Sequence, residues 1–115
     1  MEVRPLAEQT DPAQERWAYQ YTVTIENTGS VPAQLVARQW RIVDAKGLVE
    51  EVRGLAVVGH QPYLQPGQRF QYSSWAQIGT PQGSMSGRYL CVDEEAQVFY
   101  AEVPEFLLAD TSQLH

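Results

Sequence analysis

Trp17-Ala18-Tyr19-Gln20-Tyr21-Thr22-Val23-Thr24-Ile25-Glu26-Asn27 alternates aromatic or β-branched residues with small or polar ones at every step. Period two is the geometry of a β-strand with one buried face, because successive side chains leave a strand on opposite sides. Trp17, Tyr19, Tyr21, Val23 and Ile25 form the buried set. Asn27-Thr28-Gly29-Ser30 then supplies turn chemistry, and Pro32 cannot donate to a ladder.

Working outward, the same alternation returns. Ala33 to Asp44 reads as a strand with Val36, Trp40 and Ile42 on one face and Leu35, Ala37 and Val43 on the other. Asp44-Ala45-Lys46-Gly47 turns it back into Leu48 to Arg53, an antiparallel partner. Gly54 to Pro62, with two glycines and no alternation, reads as a bent or bulged strand or a loop pressed on the core. Gln68 to Ile78 places Phe70, Tyr72, Ala76 and Ile78 on one face. Met85 to Val92 and Val98 to Val103 are joined by the acidic turn Asp93-Glu94-Glu95, and Met1 to Leu6 supplies an edge strand.

The expected fold is therefore all-β, an antiparallel β-sandwich of about seven strands, since two packed sheets bury such a pattern. Trp40 on an early strand, and Tyr89 two residues before Cys91 on a late one, point to the immunoglobulin-like variety with its buried tryptophan and tyrosine corner. The domain is expected to run over 1–109, with 110–115 a disordered tail.

Composition narrows the function. The chain has 115 residues, 43% apolar and 19% charged, the make-up of one ordinary globular domain. A net charge of −6 argues against general nucleic-acid binding, which needs cations to neutralise phosphates. No apolar stretch is long enough to span a bilayer, and Met1 to Asp11 lacks the features of a signal peptide. One cysteine, Cys91, cannot make a disulfide within the chain, so a cytoplasmic location is expected.

Segments along nearly the whole chain identify it as similar to the ApaG family. These are Glu8 to Pro12, Tyr21 to Asn27, Arg38-Gln39-Trp40-Arg41-Ile42-Val43-Asp44, Val52-Arg53-Gly54 with Val57-Val58-Gly59-His60-Gln61-Pro62, Gly83 to Tyr89 and Val103-Pro104-Glu105-Phe106-Leu107-Leu108. The resemblance implies a fibronectin type III-like sandwich. It also implies a link to diadenosine polyphosphate or to cobalt and magnesium homeostasis, and a domain found fused to other domains, as interaction modules are. Many members carry Gly-x-Gly-x-x-Gly where this chain has Gly54-Leu55-Ala56-Val57-Val58-Gly59, with Ala56 at the middle glycine. Where the family often has histidine before the tryptophan, this chain has Gln39.

Candidate ligand-binding residues follow from chemistry. Arg53, Gly54 and Gly59 bracket a loop whose amides and guanidinium offer an anion contact, for a nucleotide or pyrophosphate. His60 is a potential metal ligand or acid–base group, and Arg38 flanks Trp40 on the same face. No helix follows the glycines, as a phosphate loop would require, because Gln61-Pro62 intervenes. Glu50 and Glu51 are neighbours in a strand and point apart. No serine elbow, zinc motif or Walker loop is present, so no enzyme is expected. The leading expectation is a non-catalytic module binding a protein partner through strand edges, loops and aromatics such as Trp75 and Tyr63. The alternative is a small-ligand module for nucleotide, pyrophosphate, Mg or Co.

Overall fold

A computed structural model describes residues 1–110. The expectation of a disordered tail lies, from residue 111 onward, outside the described residues. Eight strands appear in the order β1 (Glu2–Pro5), β2 (Trp17–Glu26), β3 (Ala33–Asp44), β4 (Val49–Leu55), β5 (Tyr63–Leu64), β6 (Arg69–Ile78), β7 (Gly83–Asp93) and β8 (Val98–Leu108). Two short 3-10 turns, Ala7–Gln9 and Pro12–Gln14, lie between β1 and β2. No helix among the described residues is long and apolar enough to cross a membrane.

The strands form two antiparallel sheets. One has the order β1-β2-β6, the other β4-β3-β7-β8, with β5 extending the β4 edge by pairing to β3. The β2–β6 ladder is unbroken from Trp17↔Ile78 to Glu26↔Arg69. That register explains why the period-two reading of β2 holds along its full length. Tyr19, Tyr21 and Val23 are buried, and Ile25 and Trp17 pack against the core from its margins.

The core closes around Trp40, only 2% exposed. Its indole meets Tyr21, Tyr89 and Phe106 edge-on, with ring centroids 5.6, 5.8 and 6.1 Å away. Such T-shaped contacts add to the gain from area buried. Gly87 makes room for it: a Cβ there would lie 2.2 Å from the Gln39 carbonyl oxygen and 2.6 Å from the indole.

Two readings of the sequence are corrected. A register shift in β3 between Leu35 and Ala37 turns Leu35 inward, so Leu35 (3% exposed) shares the core with Trp40, and Val36 does not. A bulge adds one residue and inverts the alternation beyond it. Among the described residues, Tyr89 also makes no tyrosine corner to backbone. Its hydroxyl meets that of Tyr72 at 2.6 Å, joining β7 to β6 across the sandwich.

Candidate functional site

The candidate residues lie on β3, β4 and the loop that follows. Arg38 pairs with Gly54 across the β3–β4 ladder. Its guanidinium occupies the space a Gly54 side chain would need, with Nη1 2.9 Å from the position of a Cβ. From there Nη1 donates to the carbonyl oxygens of Leu55 (3.0 Å) and Ala56 (2.8 Å). Arg38 thus clamps the exit of β4, and Gly54 is the residue that admits it.

Beyond the clamp the chain makes a tight turn. Val57 is fully buried and exchanges both backbone hydrogen bonds with His60. Val58 and Gly59 between them have φ of 48° and 80°. Positive φ at both central residues is the signature of a two-residue type I′ hairpin turn. Ala56, also left-handed at φ 69°, donates its amide to the Val36 carbonyl. The His60 ring packs against Phe70 of β6, centroids 5.8 Å apart, tying this loop to the other sheet. The amides of Ala56, Val57 and His60 are therefore engaged within the fold, and the loop presents Val58, Gly59 and His60 to solvent.

Arg53 takes the opposite side of β4. Its guanidinium is exposed and lies 3.7 Å from the Glu51 carboxylate, a surface pair of little energetic weight. The structure thus joins Arg38 to Gly54, sends His60 to Phe70 and places Arg53 on the outer face. Among the described residues no group of three or more His, Cys, Asp or Glu side chains gathers in a way that would hold a metal ion.

The outer face of the larger sheet carries the more continuous feature. Ladder partners Leu55, Ala37, Leu90 and Tyr100 form one row across β4, β3, β7 and β8. The next row is Arg53, Gln39, Arg88 and Glu102. Leu55 is 73% exposed and Tyr100 51%. Arg88 lies over the Tyr100 ring, its guanidinium carbon 4.0 Å from the centroid, and donates from Nε to Gln39 Oε1 at 3.0 Å. A shallow groove of about 350 Å³ runs between the two rows. Sequence reasoning found Arg53 but missed this row. The signal was there in the outward set of each strand, yet assembling it required the strand order.

Burial pushes the Cys91 thiol above its usual range, and it faces inward, so it is a poor nucleophile. Tyr19, Tyr21, Tyr72 and Tyr89 are likewise raised by burial, Tyr72 to about 12. These groups hold protons firmly at neutral pH and serve the core.

The family model for the ApaG domain matches residues 7–93. Protein ApaG of Ralstonia nicotianae is 55% identical over 112 residues, covering 97% of this chain and 90% of that protein. Protein ApaG of Thiobacillus denitrificans is 53% identical over 110 residues, covering 96% and 87%. A crystal structure of an ApaA protein from Bordetella pertussis superposes with a TM-score of 0.91 at 49% identity, covering 95% of this chain and 89% of that one.

Proposed function

Since the chain belongs to the ApaG domain family, we propose that it is a non-catalytic cytoplasmic module that binds another protein through the outer face of its larger sheet. The observation that carries this reading is the outward row Leu55–Ala37–Leu90–Tyr100, exposed at its two ends and half-buried at Ala37 and Leu90, beside Arg53 and Arg88. An apolar strip bordered by arginine, with an aromatic held under a guanidinium, has the composition of an interface core. Stacking on Arg88 holds the Tyr100 ring before any partner arrives, which lowers the ordering cost of binding.

Other features support the same reading. The strand orders β1-β2-β6 and β4-β3-β7-β8 favour an immunoglobulin or fibronectin type III-like sandwich, a scaffold often used for recognition. The inward, protonated Cys91 leaves little for nucleophilic catalysis. An unpaired single cysteine suits a reducing compartment.

Site-specific photo-crosslinking in cells tests the proposal. A photoreactive side chain at position 55 or 100 is expected to give a discrete adduct with a protein. The same group at Ser73, exposed on the other sheet, is the control. Adducts of equal yield from position 73, or none from 55 and 100, would remove the outer face as the binding surface.

A further inference from the structure

Between β6 and β4, each the last strand of its sheet, a cleft of about 290 Å³ enters the sandwich. β1 lies on the far side of β2 and takes no part in it. Trp40, Ile42, Val52, Ala76 and Met85 line the cleft, with Arg38 and Glu50 as its charged groups. Buried Trp40 and Met85 form its floor, and half-buried Val52 stands at its rim. The volume is at the small end of the range for ligand pockets.

Two donor groups on β3 lack partners there. Arg38 and Trp40 are successive inward residues of that strand, opposite Gly54 and Val52. Nη1 of Arg38 donates to the Leu55 and Ala56 carbonyls. Among the described residues its Nε and Nη2 have no acceptor, and no carboxylate pairs with the guanidinium. Nε and Nη2 are adjacent donors on one edge, the fork that matches the two oxygens of a carboxylate. Trp40 Nε1, although buried, has no acceptor either among the described residues. Gly87 of β7 faces the Cε3 edge of the indole, so the opposite edge, which carries Nε1, is turned toward β4 and the cleft. A half-buried cation without a counter-ion and a buried N–H without an acceptor both destabilise the chain, and one anion satisfies both.

We propose that this cleft binds a small organic monocarboxylate with an apolar body. The carboxylate accepts from the Arg38 fork, with the Trp40 N–H as a further donor, and the apolar body lies against Ile42, Val52, Ala76 and Met85. This function goes beyond protein binding. The site lies between the sheets, apart from the Leu55–Tyr100 row on the outer face, and neither depends on the other.

Charge and shape choose the class. One guanidinium balances one negative charge. Glu50, opposite Ile42 in the β3–β4 ladder, is exposed, and no cation pairs with it among the described residues. It repels a second negative charge, which disfavours a phosphate dianion. The apolar walls select against acetate, which carries the charge but buries little surface. A neutral apolar molecule would fill the cleft and leave the Arg38 fork and the indole N–H unsatisfied.

The test is titration of the full chain with 3-phenylpropionate and with its primary amide, followed through backbone amide and tryptophan indole resonances. The acid is expected to shift the Trp40 indole N–H together with the amides of Arg38, Gly54 and Ala76, and to half-saturate at about 1 mM. The primary amide, alike in shape and uncharged, should bind about tenfold more weakly. Arg38→Gln should abolish the preference for the acid. Because Arg38 also holds the loop after β4, Val52→Phe is the second variant: it narrows the cleft at its rim, leaves the guanidinium in place and should weaken both ligands. Glu50→Gln should tighten the acid about twofold at low salt and less at high salt. Equal affinity for acid and amide, or no shift at about 20 mM acid, overturns the site. Shifts confined to the Leu55–Tyr100 row overturn it too, while leaving the protein-binding reading in place. Inorganic phosphate that shifts the same resonances as strongly as the acid overturns the choice of a monocarboxylate.

Discussion

Ala56 sits at φ 69°, in the left-handed region that a Cβ disfavours by about 1–2 kcal/mol. The conformation persists because its neighbours fix it. Arg38 holds the Ala56 carbonyl, the Ala56 amide reaches Val36, and the next residue, Val57, is buried in the core. Glycine adopts this region without penalty but gives the unfolded chain more freedom. Ala56→Gly is therefore expected to raise stability by about 0.5–1 kcal/mol in denaturant unfolding. A loss of similar size would mean that the Ala56 methyl packs more favourably than its backbone is strained. The sequence marked Ala56 as the departure from a glycine pattern. It held no sign that the neighbouring glycines serve two different needs. Gly54 admits the Arg38 guanidinium, whereas Gly59 completes a left-handed turn with open space around it. Arg38 was legible as sharing the Trp40 face, but its donation to two carbonyls was not, because both lie 17 and 18 residues downstream.

At the scale of elements, the link between sheets that carries a pH signature is the Tyr72–Tyr89 hydroxyl pair. Burial raises both phenols above their ordinary value near 10, Tyr72 to about 12. The unfolded chain ionises these groups first, so below about pH 10 their contribution is fully present. Above that the unfolded state loses protons that the folded state keeps, and stability falls as pH rises toward 12 and beyond. Unfolding free energy is expected to be insensitive to these tyrosines at neutral pH and to drop through the alkaline range. Tyr72→Phe should cost about 1–3 kcal/mol at pH 7, because it leaves the Tyr89 hydroxyl without its partner, and should make the alkaline decline shallower. An unchanged alkaline profile in that variant would show that other groups cause the decline.

The elements themselves were largely readable. β2 needed nothing beyond its alternation, since one regular ladder carries it from end to end. β3 was readable in extent and misread in facing, because a bulge leaves no compositional mark between Leu35 and Ala37. β8 was expected to stop at Val103, yet it runs through Pro104 to Leu108. Proline is tolerated there because Pro104 falls in the register shift opposite Met85–Gly87, where it has no ladder partner, on a strand at the edge of its sheet. Edge status is a property of strand order, which the local sequence does not encode.

At the scale of the whole molecule, sheet order turns isolated side chains into surfaces. Leu55, Ala37, Leu90 and Tyr100 are 18, 53 and 10 residues apart along the chain and become consecutive only when β4, β3, β7 and β8 lie side by side. Leu55 and Tyr100 do little for the fold, since each is more than half exposed. The measurement that tests the account most directly pairs folding with binding in one variant, Leu55→Ser with Tyr100→Ser. Denaturant unfolding is expected to change by no more than about 1 kcal/mol, while crosslinks from a photoreactive group placed at Ala37, between the two, disappear. Crosslinks that persist at full yield in a folded double variant would contradict the assignment of this face as the binding surface.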